Sequence, residues 1–383
     1  MKNIIAIGII LSFFLANIPV IAQDTEKPSQ PTTRGEWLYV GGDGPGNYSK
    51  IQDAINASSD GDTVFVYDDS SPYHESLIIN QTITLKGENK NTTFIEGTGA
   101  SSEQIILITA SDVTITGFCI QQYPLNNISY AVFINHADRA RITQNTFQHN
   151  SKNCHSVVYL LNTNYSQISN NTFMNNSVGV SVNQGGDHRI QGNTFIKNSL
   201  GISIIFSNGN TIYRNTILSS DHFGIICELA HYNAFAENSI KDNDYGFASE
   251  VSCRNMFYHN TLMNNTVGMS LIESKQNTIK ENNFINNSNQ SDIKYIGFIG
   301  LALSLFYKIR FSKGSGFISL FGRNHWEANY WSDWESSSPK PIDRVFYLLG
   351  LQIVLGKITD KQYIFHIAQY DWHPAQEPYT FRG

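Results

Sequence analysis

Ile190-Gln191-Gly192-Asn193-Thr194-Phe195-Ile196-Lys197-Asn198-Ser199-Leu200-Gly201-Ile202-Ser203-Ile204 holds two short apolar alternations, each bounded by Asn or Gly. Its core pattern, apolar-x-x-Asn-x-apolar, recurs from Ile142, Ile168, Ile190, Ile212, Phe235, Phe257 and Ile279. The asparagines are Asn145, Asn171, Asn193, Asn215, Asn238, Asn260 and Asn282, at steps of 26, 22, 22, 23, 22 and 22 residues. Five residues beyond each stands Asn150, Asn176, Asn198, Ser220, Asn243, Asn265 or Asn287. A third column, Asn210, Asn233, Asn255 and Asn277, lies upstream of the motif. A glycine opens the next apolar segment in several repeats, as in Gly179-Val180-Ser181-Val182 and Gly224-Ile225-Ile226-Cys227.

A fixed period of about 22 residues is the mark of a solenoid. The segments are three to five residues long with period-2 alternation, too short to make an independent sheet. They bury their apolar side only if each coil stacks on the one before, in parallel, at about 4.8 Å per coil. Helical repeats are excluded, because Gly, Asn and β-branched residues fill the period. The fold class is therefore all-β, a right-handed parallel β-helix. Within a strand Ile202 and Ile204 point inward and Ser203 points to water. Turn asparagines satisfy backbone groups and pair with the asparagine one coil away.

Working outward, residues 38–290 are expected to form the solenoid. Ser49 to Ala57 puts Ile51, Ala54 and Ile55 on one helical face, with a serine as N-cap, and is expected to cover the first coil. The 26-residue step implies an enlarged turn near Ser151 to His155. Residues 291–383 read as an insertion followed by a cap in which Trp326, Trp331, Trp334 and Trp372 close the last coil. The apolar run 295–307 reads as a buried strand pair or helix and is too short to cross a bilayer.

At the other end, Lys2 precedes an apolar stretch from Ile4 to Ile21 that closes with Val20-Ile21-Ala22. Residues 1–22 read as a signal peptide and 23–37 as a flexible linker. No transmembrane span is expected after the leader. The location is therefore secreted, cell-surface or periplasmic. The chain has 26 basic and 32 acidic residues, a net charge of -6, which becomes -7 when Lys2 leaves with the leader. That balance argues against nucleic acid as a partner. Cys119, Cys154, Cys227 and Cys253 are too few for a disulfide scaffold and form no zinc-like pattern; they read as buried small hydrophobes, with one or two bridges possible. Asn-x-Ser/Thr sequons such as Asn47, Asn91, Asn127, Asn164 and Asn264 follow from composition.

Candidate chemistry is sparse. Glu228 and Glu250 lie four residues after Gly224 and Gly246, so both should project from one face about one rung apart, with His231 nearby. Two carboxyl groups about 5–5.5 Å apart suit retaining glycoside hydrolysis, and the like-charge pair should raise one pKa. A solvated charge ladder is the competing reading. Asp221, Asp242 and Asp244 form an acidic turn patch, for which calcium is the one ion to consider; otherwise no cofactor is expected. The histidines are scattered, His149 and His155 flanking Cys154 most closely.

The Asn-Thr-Phe and Gly-Ile-x-Ile register resembles the NosD-type branch of the pectin-lyase-like β-helices. The start, Ser49-Lys50-Ile51-Gln52-Asp53-Ala54-Ile55 and Asp60-Gly61-Asp62-Thr63-Val64, is similar to the amino-terminal coil of that fold. So are Asn329-Tyr330-Trp331-Ser332-Asp333-Trp334, Pro339-Lys340-Pro341-Ile342 and Asp371-Trp372-His373-Pro374-Ala375 at the end. The likeness covers residues 38–383, with 291–322 and 343–369 departing most. It implies an exported surface protein with a carbohydrate-linked role. The copper-site maturation role behind the NosD name is not carried over to this chain. The expected function is binding of a polysaccharide or envelope component by a monomer; a polysaccharide-degrading enzyme and a purely architectural envelope protein are the alternatives.

Overall fold

The computed structural model describes residues 35–97, 104–122, 129–150, 154–296, 323–336, 338–342, 344–354, 357–366 and 369–380. The expected leader, most of the linker, Asn127 and nearly all of the run 295–307 lie outside them.

The strands form three sheets, here named A, B and C, of 14, 11 and 12 strands among the described residues. The chain passes from C to A to B in each coil, as in Leu200–Ile205, Thr211–Tyr213 and Thr216–Leu218. From Trp37–Val40 to Tyr330–Trp331 the strands pair in parallel with their equivalents one coil later, whereas Lys340–Ile342 with Gln369–Asp371 and Arg344–Val354 with Lys357–His366 pair antiparallel. Ile142↔Ile168, Ile168↔Ile190 and Ile190↔Ile212 continue one column through sheet A. These inward residues are fully buried. In sheet B the column runs through Phe147, Phe173 and Phe195, whose rings stack at 4.9 and 4.7 Å. Stacking identical rings fills the lumen without voids and adds to the apolar burial.

The turns obey one rule. The residue before each asparagine of the first ladder (Gln144, Asn170, Gly192, Arg214, Glu237, His259, Glu281) has φ between 51 and 63. Left-handed backbone is uncommon for residues other than glycine. Here the following asparagine holds it in place. Asn193 donates its N–H and its Nδ2 to Asn215 Oδ1, at 3.0 Å each, and its Nδ2 also to the Ile168 carbonyl. The ladder runs unbroken from Asn145 to Asn282, and Phe118 N–H donates to its first Oδ1. The second ladder has a gap at Ser220, where no Asn198 N–H bond crosses and the hydroxyl has no partner. The third begins with Ser166 and His188 in place of asparagine, then follows Asn210, Asn233, Asn255 and Asn277.

Both ends are closed. Ile51, Ala54 and Ile55 of helix Ile51–Ala57 are buried, as the apolar spacing predicts. Its cap is not a serine: Glu75, from the next coil, accepts the N–H groups of Ile51 and Gln52 at 2.8 and 3.0 Å. At the far end the solenoid continues past residue 290. Asn289–Ile296 pairs with Val267–Ile272, and His325–Glu327 and Tyr330–Trp331 complete another coil. Asn277 reaches Asn324 and Asn282 reaches Asn329 across 47 residues, so the insertion leaves both ladders in phase. Trp326 and Trp331 plug the lumen and Trp334 packs against the core, whereas Trp372 is 62% exposed and seals nothing. The four cysteines are buried and unbridged. Burial, with a smaller contribution from the Glu96 charge at Cys119 and the Glu228 charge at Cys227, pushes these two thiols up to about 12.

The inward-outward register of sheet C holds with one correction. Ile204 is fully buried, but the outward Ser203 is also only 6% exposed. Its short side chain stands in a column between Ser181 on one rung and Ile226 on the next.

Candidate functional site

Glu228 and Glu250 close the equivalent strands Phe223–Glu228 and Tyr245–Glu250 of sheet C and stand directly opposite in register. The column reads Ile205, Glu228, Glu250, Ile272, so an apolar residue flanks the pair on each side. Both carboxyl groups are half-buried. Loss of solvent, and then the neighbouring Glu250 charge, push Glu228 up to about 7; loss of solvent also raises Glu250. Neighbouring rungs are about 4.8 Å apart, so the expected one-rung geometry is present.

His231 lies three residues beyond Glu228. It belongs to the turn from sheet C to sheet A, where its N–H donates to Asn208 Oδ1 at 2.7 Å. Its Nδ1 accepts the Cys253 N–H at 3.0 Å. His188 does the same for Ser166 N–H at 3.1 Å. Both rings are buried, and that burial lowers each to about 4. In both turns the ring serves as an acceptor for a backbone N–H of a neighbouring coil.

These shifts set opposite pH dependences. A histidine held at about 4 in the fold and 6.5 unfolded contributes stability above pH 6.5 that is lost as pH falls through 4. Glu228, raised from 4.5 to about 7, contributes stability below pH 4.5 that is lost as pH rises through 7. Glu228→Gln removes the second effect. Thermal melts should show the variant more stable than the parent at pH 8, by up to about 3 kcal/mol less what solvent screens. At pH 4.5 the two should melt alike. Equal melting at both pH values would mean that the carboxyl is not held in a desolvated site.

Asp221, Asp242 and Asp244 are exposed, Asp242 in a left-handed turn position. Asp244 N–H donates to the Ser220 carbonyl and Asp221 N–H to Asn198, so the first and last share a column one coil apart. Among the described residues no group of three or more His, Cys, Asp or Glu is arranged to hold a metal ion. The outward turn column Arg214, Glu237, His259, Glu281 is tied along the axis by two contacts of 2.7 Å, an ion pair of Arg214 with Glu237 and a hydrogen bond between His259 and Glu281. One feature escaped the sequence reading. Trp37, Tyr39, Phe65 and Tyr67 share the outer face of sheet A in the first two coils. The alternations Trp37-x-Tyr39 and Phe65-x-Tyr67 were its signal.

A rigid parallel β-helix closed at both ends, with outward columns of side chains, is the class of protein this geometry defines. Residues 55–268 and 153–336 match the family described as "Periplasmic copper-binding protein (NosD)". The chain belongs to the NosD family, and that membership agrees with a secreted, cell-surface or periplasmic location. No curated protein matches the sequence. Among solved structures, ORF18 of Geobacillus virus E2 is similar, with a TM-score of 0.53 at 13% identity over 64% of this chain. The chain spans 57% of that protein's length. The A-module of the mannuronan C-5 epimerase AlgE6 of Azotobacter vinelandii scores 0.50 at 12% identity, over 64% of this chain and 74% of its own. The DFA-IIIase of Arthrobacter chlorophenolicus A6, in complex with GF2, scores 0.51 at 11% identity, over 69% and 92%. At such identities the likeness establishes the fold alone.

The family description implies copper, and the donor set does not suit it. Copper favours thiolates, thioethers or clustered imidazoles. Here Cys119, Cys154 and Cys227 are buried thiols held protonated, each raised to about 12. The imidazole Nδ1 atoms of His188 and His231 are occupied by backbone N–H groups. Among the described residues no helix is long and apolar enough to cross a membrane.

Proposed function

We propose that this chain is an exported β-helix scaffold that binds a glycan or envelope polymer along its outer faces, as a monomer. The observation that carries this reading is the constant register set by the asparagine ladders. Every outward column then recurs once per coil, which matches a rigid surface to a ligand that itself repeats. The fold it shares with a mannuronan epimerase and with a DFA-IIIase solved with GF2 supports the reading.

The pairing of Glu228 with Glu250 favours a second reading, a retaining glycoside hydrolase acting at that face. Against it stands the half-burial of the pair between Ile205 and Ile272, which leaves a polymer little access. A panel of neutral and acidic polysaccharides, assayed for binding and for chain cleavage with and without calcium, separates the two. Binding without cleavage is the expected result. Cleavage abolished in the Glu228→Gln, Glu250→Gln double variant, with folding intact, would replace the first reading by the second. Absence of both would leave the architectural role.

A further inference from the structure

The outer face of sheet A changes character in its first coils. Strand Trp37–Val40 is the edge of the sheet, followed by Thr63–Val66 and Thr84–Gly87. Register sets Trp37 beside Thr63 and Thr84, and Tyr39 beside Phe65 and Lys86. The rings form one continuous surface: Trp37 to Tyr39 at 6.3 Å, Trp37 to Phe65 at 6.0 Å, Tyr39 to Tyr67 at 6.1 Å and Phe65 to Tyr67 at 5.0 Å. Trp37 remains 48% and Tyr39 39% exposed. Lys86 Nζ hangs over Trp37 and Phe65, at 5.6 and 5.9 Å from their centroids.

The far side of this surface is pinned. Gly41 and Gly42 have φ of +75 and +70, and a Cβ on Gly42 would come within 2.9 Å of the Tyr67 ring. Asn47 Nδ2 donates to the Gly41 carbonyl and Gly42 N–H donates to Asp69 Oδ1. The Tyr67 carbonyl accepts the Tyr73 hydroxyl at 2.7 Å. Folding leaves two large rings, Trp37 and Tyr39, substantially in water here. Exposed aromatic surface with polar groups at its margin marks a binding site more often than a packing accident.

We propose that this platform is a subsite for a neutral, hydroxyl-rich glycan chain. The C–H faces of pyranose rings stack on the negative faces of aromatic rings, and ring spacings near 6 Å are comparable to the length of one sugar residue. The Thr63 and Thr84 hydroxyls, the Lys86 ammonium and the carboxylates of Asp69 and Glu88 at the margin supply hydrogen bonds to sugar hydroxyls. Charge selects the neutral class. Glu36 adjoins Trp37, Asp68 and Asp69 follow Tyr67, and Glu88 Oε2 accepts the Asp68 N–H at 3.0 Å, so these carboxylates outnumber the Lys86 ammonium at the patch and an anionic polysaccharide would meet mostly like charge there. A protein partner adding a strand to the open edge at Trp37–Val40 is the competing occupant, but it would leave the outward rings uncovered.

The proposal rests on the glycan-binding reading above and narrows it to one place and one ligand class. Its test uses the chain lacking residues 1–22, titrated with cellohexaose, mannohexaose and polygalacturonate while tryptophan emission and binding heat are followed. One or both neutral hexaoses should bind, and the Trp37→Ala, Tyr39→Ala double variant should lose at least about tenfold in affinity with an unchanged melting temperature. Trp37→Phe, which keeps a ring, should recover most of the loss, and this guards against a folding defect. Neutral binding undiminished in the double variant, or binding of polygalacturonate alone, would overturn the subsite and leave the broader reading standing. No binding of any of the three probes, nor of any polysaccharide in the wider panel, would remove both. Concentration-dependent self-association without sugar, abolished by the double variant, would assign the platform to a second copy of the chain instead.

Discussion

Replacing Asn238 by leucine is expected to cost about 3–5 kcal/mol, read as a fall in the urea midpoint of the far-UV circular dichroism signal. The side chain is 1% exposed and makes contacts on both sides. Its Oδ1 accepts the N–H and the Nδ2 of Asn215, at 3.0 and 3.1 Å. Its Nδ2 donates to Asn260 Oδ1 and to the Ile212 carbonyl, both at 2.9 Å. Leucine is of similar volume, so no cavity is left; what is left is a buried backbone N–H on Asn215 with no acceptor. Each orphaned buried polar group costs about 1–3 kcal/mol, and more than one is created here. The protein carries its own comparison at Ser220, where the second ladder is interrupted and Asn198 N–H finds no side-chain acceptor. One missing rung is therefore survivable, so Asn238→Leu should fold but melt early. A loss below about 1 kcal/mol would mean that the left-handed turns hold themselves and the ladder adds little.

The second large effect lies at the end of the same ladder. Asp371 is fully buried, and its Oδ2 accepts Asn329 N–H at 2.9 Å, Asn329 Nδ2 at 3.0 Å and the Trp331 indole N–H at 3.0 Å. It takes the place that the next asparagine would occupy, with a stronger acceptor. Asp371→Leu removes the acceptor of these three donors and of the His373 N–H, which Oδ1 accepts at 3.3 Å, and should cost about 3–6 kcal/mol. Asp371→Asn keeps one carbonyl oxygen in place and should cost clearly less. Hydrogen exchange of peptides spanning residues 325–331 is the sensitive probe: it should speed up strongly in the leucine variant, while peptides around Asn193 stay protected, because each coil rests only on its neighbours. Uniform loss of protection along the whole chain would show that the end plug holds the entire solenoid together.

The repeat was legible because its asparagines and inward apolar residues are spaced by the coil itself. Asn145 to Asn282 could be placed in one column from numbering alone, and so could the facing pair Glu228 and Glu250. The helix Ile51–Ala57 was legible from three apolar residues on one face. What the sequence concealed were partners brought together across long separations. Glu75 caps that helix from a coil it does not belong to, and Asp371 ends a ladder from beyond a long insertion. Asn324 and Asn329 looked like part of a separate cap because 47 residues intervene where 22 are usual. The Trp37–Tyr67 platform was hidden for another reason. Alternation shows which residues share a face, but says nothing about which faces stay in water. The partners of His231, Asn208 one coil earlier and Cys253 one coil later, were likewise not legible from its spacing to Glu228.

The first ladder also has a sense of direction. Each asparagine between Asn145 and Asn282 gives its backbone N–H to the side-chain oxygen one coil later, and the last recipient is a carboxylate, while each Nδ2 also reaches back to a carbonyl of the coil before; it is the N–H series that runs one way. In the folded chain the N–H of each coil is completed by an oxygen that lies one coil further along the sequence, and the series ends at Asp371, an acceptor with no side-chain amide to pass on. Length then becomes an inheritable variable independent of the ends: a 22-residue block can be duplicated or lost between any two rungs while the helix at one end and the tryptophans at the other stay as they are.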